Sequence, residues 1–304
     1  MADLKRAALV SAGAAAAGVA SLASVKTALL KPSKPKGAPI GADGYEAGMD
    51  AVERFQELLR IPTVSRDNVS VRDDEAFRRW IPTLERLYPK MLAATELHRI
   101  DDFGILLRWP GRDASLDPVI VMAHQDVVPT EGQVWMHDPF AAEISDGEIW
   151  GRGTLDTKCI DCALFEAMEY LIGEGYVPPR DVWFFSSDGE EINAPTSKHA
   201  VAWLKEHNVT PYMVLDEGGA LATDAGLGVT TPIAMVGVSE KGHVDLLVKA
   251  YAEGGHASTP GRNDAAALLS RVVSRIVDNP PEPHLIPVVA RTLSEIGAWA
   301  GGPY

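Results

Sequence analysis

The chain has 304 residues, 46% of them hydrophobic, which is enough apolar material for one large domain or two ordinary ones. Its 42 acidic residues outnumber the 28 basic ones, so the formal net charge is −14 at pH 7. Nucleic-acid-binding proteins are more often basic, and this balance therefore disfavours that class of function.

The N-terminal residues are typical of an export signal or a membrane anchor. Lys5 and Arg6 precede the uncharged segment 7–25, which is mostly Ala, Gly and Ser. Its length just suffices to span a bilayer, whereas its composition and small residues equally suit a cleavable signal peptide. A soluble Ala-rich helix is a third interpretation. We expect residues 1–38 to be a signal peptide or membrane anchor plus a linker. The protein would then be extracytoplasmic, secreted or membrane-anchored, with a cytoplasmic location as the alternative.

Helical and strand patterns alternate along the next part of the chain. Apolar residues or helix-forming composition predict four helices, at 50–60, 73–88, 161–174 and 197–207. Short apolar runs predict three buried strands, at 119–123, 182–185 and 212–215. Such alternation implies an α/β fold, in which helices cover the faces of the sheet.

The pattern changes near residue 240. Alternating apolar residues predict a half-exposed strand at 243–251, and a helix is predicted at 263–277. We therefore divide the chain into a first domain at 39–238 and the start of a smaller one at 239–304.

Acidic and imidazole side chains follow the predicted strands or lie in the turns beyond them. They are His124, Asp126, Asp156, Glu190, Glu191 and Asp216. Each alone has an ordinary explanation, such as a turn or a solvated acidic pair. Together they predict a site for divalent metal ions, because ligand sites in open α/β sheets form at the carboxyl ends of strands. Asp126 can accept a hydrogen bond from His124 and so orient its ring.

The chain has only two cysteines, Cys159 and Cys162, and their spacing of three places them on one face of a predicted helix. We interpret them as small buried residues. A redox pair or a zinc half-site is the alternative, although no second cysteine pair is available to complete such a zinc site.

Five segments resemble the M20 family of metallopeptidases, and in particular its carboxypeptidase S-like branch. In family order they are residues 124–126, 151–158, 189–191, 214–219 and 254–260. The resemblance extends from about residue 45 to the end of the chain. It implies a zinc-peptidase-type α/β sandwich catalytic domain at 39–238. It also implies an inserted α+β lid or dimerisation domain, of which 239–304 would be an incomplete part.

The resemblance also implies a site with two Zn²⁺ ions, for which Co²⁺ or Mn²⁺ could substitute. His124 and Asp216 would hold one ion and Glu191 the other. Asp156 would bridge the two, with a cis peptide bond to Thr157. A bridging carboxylate suits such a site because an anion between two dications relieves their repulsion.

Three further residues take catalytic roles by resemblance. Glu190 would be the general base toward a metal-activated water, and Asp126 would orient the zinc-binding imidazole. His256 would stabilise the oxyanion from the lid domain, often in the active site of a partner subunit. Arg262 and Arg291 are alternatives for binding a substrate carboxylate.

These roles predict a zinc-dependent hydrolase of a peptide or amide bond adjacent to a free carboxylate. Its substrate would be a small peptide or an N-acyl amino acid, and it would form a homodimer through the lid. The alternatives are an M28-type aminopeptidase and a non-catalytic, truncated binding or dimerisation module. Segments 151–158 and 254–260 favour the M20 family.

The sequence departs from the family pattern in two respects. Family members usually supply one more histidine ligand late in the chain, after the lid domain, whereas the last histidine here, His284, lies in a proline-rich stretch within the expected lid. We therefore expect a C-terminally truncated chain in which the zinc on Glu191 lacks a ligand. In addition, Ile192, Asn193 and Ala194 stand where many relatives have two glycines.

Overall fold

A computed structural model describes residues 48–223, 229, 231–240, 242, 244–256, 258 and 264–299. The described residues up to Glu217 form one compact unit, and those from Gly218 onward belong to a second. Segment 1–38 lies outside the described residues, so its assignment as a signal or anchor stays a prediction, as does the domain boundary at 239. Within the described ranges, no helix has both the length and the hydropathy needed to cross a membrane.

Six helices are described in the first unit. They are α1 Met49–Leu59, α2 Asp74–Arg78, α3 Trp80–Leu87, α4 Pro89–Ala94, α5 Lys158–Gly173 and α6 Thr196–Glu206. The single helix predicted at 73–88 is thus two helices that meet at Arg79. Pro82 accounts for the break, because it cannot donate a hydrogen bond to the Arg78 carbonyl and its ring would clash with that group in a continuous helix.

The central sheet has five strands in the order β1-β2-β6-β3-β7. The strands are β1 Glu96–Ile100, β2 Gly104–Trp109, β3 Val119–His124, β6 Val182–Ser187 and β7 Met213–Leu215; β4 Glu143–Ser145 and β5 Glu148–Trp150 form a separate hairpin. Strands β3, β6 and β7 are parallel, whereas β1 and β2 pair antiparallel. The α/β prediction is confirmed, and the three parallel strands are those predicted. The prediction that all three are buried is wrong for β7, because it lies at the edge of the sheet and its three residues are exposed.

Parallel pairing brings the ends of these strands to one edge of the sheet. His124 is paired with Ser187 at the ends of β3 and β6, and Leu215 ends β7 beside Val121. The loops that follow therefore begin at the same edge.

Side chains alternate between the two faces of the sheet, and each face is covered by helices. On β6, Phe184 belongs to a core cluster with residues of α1, α3, α4 and α5, while Trp183 and Phe185 pack in a second cluster with α6. This alternation follows from the two-residue period of a strand. The covered sheet is the rigid base from which the loops extend.

The second unit contains a hairpin of β8 Ala220–Ala222 and β9 Ile233–Met235, then helices α7 Ala265–Asp278 and α8 Pro287–Gly297. The helix predicted at 263–277 is confirmed as α7. The strand predicted at 243–251 is wrong, because the described residues 244–251 form no strand. A strand needs a neighbour for its backbone groups, and alternation in the sequence cannot reveal whether one is present.

Candidate metal centre

His124 ends β3 and is almost completely buried, with 1% of its side chain exposed. Its Nδ1 lies 2.9 Å from the main-chain oxygen of Asp126. A carbonyl oxygen can only accept, so Nδ1 carries the proton and donates it. Nε2 then faces the acidic groups, 3.1 Å from Asp156 Oδ1 and 3.2 Å from Glu217 Oε1. Loss of the proton on Nε2 would leave its lone pair for a metal ion, while Nδ1–H stays bonded to Asp126.

Asp126 joins two of the loops at the carboxyl edge of the sheet. Its buried carboxylate accepts the main-chain N–H of Glu190 at 3.0 Å and that of Glu191 at 3.2 Å. Its Oδ1 also lies 3.5 Å from Nδ1 of His124. One carboxylate therefore places the imidazole and the acidic pair relative to each other. Its approach to His124 was expected from the sequence, whereas its bonds to the N–H groups of Glu190 and Glu191 were not.

Asp156 lies in the turn that leads into α5. Its peptide bond to Thr157 is cis, as the resemblance implied. The side chain is 69% exposed, yet one carboxylate oxygen reaches the imidazole of His124. The exposed remainder leaves room for a cation beside it.

Two groups of residues bring ligand atoms within 4.8 Å of one another. One is His124, Asp156 and Glu191, and the other is His124, Glu190 and Glu217. Among the described residues, three of the acids singled out in the sequence, Asp156, Glu190 and Glu191, thus converge on the imidazole of His124. Neither cysteine belongs to a group; both lie in α5 as free thiols, with Cys162 buried.

Asp216 is the one predicted ligand that the structure leaves outside both groups. It is exposed, and its Oδ1 accepts the N–H of Glu217 at 2.9 Å. Its neighbour Glu217 approaches His124 instead. Successive side chains beyond a strand point in different directions, and spacing alone does not decide which of two adjacent acids faces the site. The ligand role of Asp216 stays a prediction.

His256 and Arg291 belong to the second unit. His256 Nδ1 lies 2.7 Å from Ser258 Oγ, and Arg291 is in α8. Arg262 lies outside the described residues. The roles given to these three residues stay predictions.

The acidic groups around His124 repel one another. Burial and the neighbouring Asp156 carboxylate raise the pKa of Glu191 to about 7, and burial also raises that of Glu190. Burial opposes the imidazolium, but Asp126 and Glu217 outweigh it and raise the pKa of His124 to about 10. A divalent cation would offset more of this negative charge than a single imidazolium does. Imidazole and carboxylate donors suit Zn²⁺, Co²⁺ and Mn²⁺, so the residues present fit such an ion.

Sequence comparison finds a match over residues 120–295 to the model of peptidase family M20/M25/M40. Probable carboxypeptidase S-like 2 of Dictyostelium discoideum is 32% identical over 77% of this chain and 47% of its own length. Carboxypeptidase S of Saccharomyces cerevisiae is 32% identical over 76% of this chain and 42% of its own length. The human N-fatty-acyl-amino acid synthase/hydrolase is 30% identical over 75% of this chain and 46% of its own length. The chain spans about half the length of these relatives or slightly less.

Structural comparison finds a likeness to an M20 family metallo-carboxypeptidase from Sulfolobus solfataricus. The two are 20% identical, with a TM-score of 0.46, over 56% of this chain and 38% of the other.

Proposed function

We infer that this chain, which belongs to peptidase family M20/M25/M40, carries the metal site of a hydrolase that cleaves a peptide or amide bond beside a free carboxylate. The observation that carries this proposal is the convergence of His124, Asp156 and Glu191 at the carboxyl edge of the sheet. The names of the relatives supply the substrate class, since they describe a carboxypeptidase and a hydrolase of N-acyl amino acids. A free carboxylate lies next to the scissile bond in both kinds of substrate.

We propose Zn²⁺ as the metal, with Co²⁺ or Mn²⁺ as substitutes. His124 and Asp216 would hold one ion, Glu191 the other, and Asp156 would lie between them. When bound, such ions polarise the scissile carbonyl and lower the pKa of the attacking water.

Glu190 would act as the general base. It is half exposed, and its Oε2 lies 3.9 Å from Nε2 of His124, so it borders the centre without being enclosed in it. Burial raises its pKa, which makes the carboxylate a better proton acceptor. Its Oε2 would take a proton from the attacking water and pass it to the leaving nitrogen. The main-chain N–H bonds from Glu190 and Glu191 to Asp126 would fix the position of this loop during the proton transfer.

Adding Zn²⁺ or Co²⁺ to the metal-free chain should raise its melting temperature. A ligand at 100 times its Kd stabilises the native state by about 2.7 kcal/mol. In a unit of this size that corresponds to about 5–10 °C. Differential scanning fluorimetry measures this shift in melting temperature, and Mg²⁺ serves as the control because it prefers an all-oxygen site. No shift with any transition metal would contradict the assignment of the centre.

Hydrolysis assays test the proposed reaction. The metal-loaded chain should cleave N-blocked dipeptides and N-acyl amino acids that carry a free carboxylate, and should not cleave the corresponding C-terminal amides. Cleavage of dipeptides only when their amine is free would identify an M28-type aminopeptidase instead. Metal binding without any turnover would identify a non-catalytic binding module.

The second unit would belong to a lid or dimerisation domain, and His256 would stabilise the oxyanion in the active site of a partner subunit. We also propose an extracytoplasmic location, on the pattern of residues 1–38. These parts of the proposal rest on the sequence pattern alone.

A further inference from the structure

Lys158 is completely buried at the first position of α5, two residues after Asp156. Its Nζ donates to the main-chain oxygen of Leu58 at 3.1 Å and to that of Ile61 at 2.5 Å. These carbonyls lie at the end of α1, about a hundred residues earlier in the chain. Lysine is almost never fully buried unless it is paired, so the position calls for an explanation.

The turn that carries Asp156 rests on the stem of this lysine. A Cβ atom at Gly153 would lie 3.3 Å from Lys158 Cδ and 2.9 Å from Val127 Cγ1. Gly153 also has a φ of +86°, which favours glycine. The turn before Asp156 is therefore packed directly against both Lys158 and Val127.

The segment after α1 is bonded to the loop that follows His124. Thr63 Oγ1 donates to the Gln125 carbonyl, and Val127 N donates to Thr63 O at 3.0 Å. Ser65 N in turn donates to Val127 O at 3.1 Å. Residues 61–65 thus hold the loop after β3, and through Ile61 they also accept the ammonium group of Lys158.

We propose that Lys158 is a positioning residue that fixes Asp156 relative to His124. It does so by bonding the start of α5 to the same segment that holds the loop after β3. The inference rests on the proposed function, because it concerns the cation that His124 and Asp156 would share.

A purely structural role makes a different prediction for Lys158→Met. Methionine has nearly the length of the lysine stem and carries no charge to desolvate. The two carbonyls would keep partners, since Leu58 O also accepts Ile61 N at 3.3 Å and Ile61 O accepts Thr63 N at 2.9 Å. The charge of Lys158 also faces the buried carboxylate of Asp161, so its loss can lower stability without touching the metal centre. If Lys158 has only that structural role, K158M should bind metal as well as the wild type, whatever its stability.

Cobalt binding to the full chain tests the proposal. The affinity is measured by competition with a chelator, and the coordination geometry by the visible absorption spectrum of Co²⁺. K158M should bind Co²⁺ about 10–100-fold more weakly, the loss typical of groups that hold metal ligands in place, and with an altered spectrum. The matched control is Met168→Ala, a buried position in the same helix. It should lower the melting temperature while leaving affinity and spectrum unchanged.

Unchanged affinity and spectrum in K158M would overturn the inference while leaving the proposed function in place. If the wild type binds no Co²⁺, the proposed function fails and the inference fails with it. If K158M does not fold, Lys158→Gln decides the question, because its amide is an uncharged donor on a shorter stem than the lysine that bonds Leu58 O and Ile61 O. Weaker Co²⁺ binding by K158Q supports the inference, and unaltered binding overturns it.

Discussion

Replacing His124 by alanine is expected to cause the largest loss of metal affinity of any single substitution in this centre. His124 is common to both groups of converging ligand atoms, and it is the only nitrogen ligand in either. Loss of a group that merely orients a ligand costs about 10–100-fold in affinity, so loss of the shared ligand should cost about 100-fold or more. Equilibrium dialysis against Zn²⁺ measures the bound metal per chain.

The matched control is His199→Ala. This histidine is half exposed in α6 and contacts Asp101, away from either group. H199A should bind as much metal as the wild type. Full metal content in H124A would show that carboxylates alone hold the ion, and that the centre does not lie on the imidazole.

Glu190→Gln should lower turnover of an N-blocked substrate by about 10²–10⁴-fold while metal content stays unchanged. Glutamine keeps the shape of the side chain but cannot accept the proton that a general base must take. The main-chain N–H bonds to Asp126 do not involve the substituted group, so the loop should keep its position. Steady-state kinetics and metal analysis on the same preparation measure the two effects.

Glu191→Gln is the matched partner of this variant, with the same change one residue later. It should weaken metal binding, because Glu191 belongs to the group with His124 and Asp156. The reverse result, in which E190Q loses metal and E191Q keeps it, would exchange the two roles. That outcome would favour the group in which Glu190 and Glu217 face His124.

The three parallel strands could be predicted from the sequence because each is a short apolar run that stops abruptly. Strand β3 extends only one residue beyond the predicted 119–123, and β6 two residues beyond 182–185. The polar residues that follow the carboxyl ends of these strands then indicate where the metal site lies. In β6 this continuous apolar signal reflects burial on both faces of a parallel strand, whereas β7 carries it as an exposed strand at the edge of the sheet.

The antiparallel strands β1 and β2 were not predicted. Strand β1 mixes charged and apolar residues, and most of it is exposed or half-buried at the edge of the sheet. Its charged residues interrupt the kind of apolar run that indicated β3, β6 and β7. Strand β2 is buried, and its short apolar run at 105–107 was not interpreted as a strand.

Contacts between distant parts of the chain also lay beyond sequence reasoning. The bonds from Asp126 to the N–H groups of Glu190 and Glu191 span 64 and 65 residues. The bonds from Lys158 to Leu58 and Ile61 also join distant parts of the chain, and they depend on how α5 packs beside α1. Residue type suggested a ligand set, but not the atoms that hold it in place.

The main-chain bonds to Asp126 have a consequence for how this site tolerates mutation. They hold Glu190 and Glu191 by atoms that every residue except proline possesses, so the side chains that follow contribute little to ligand placement. Asn193 illustrates this latitude, since its φ of +51° is a left-handed conformation that asparagine accepts in place of glycine. Gly189 is less replaceable, because a Cβ there would meet Ala194 Cβ at 2.4 Å. Substitutions at 192 and 193 should therefore disturb the metal centre less than a substitution at Gly189.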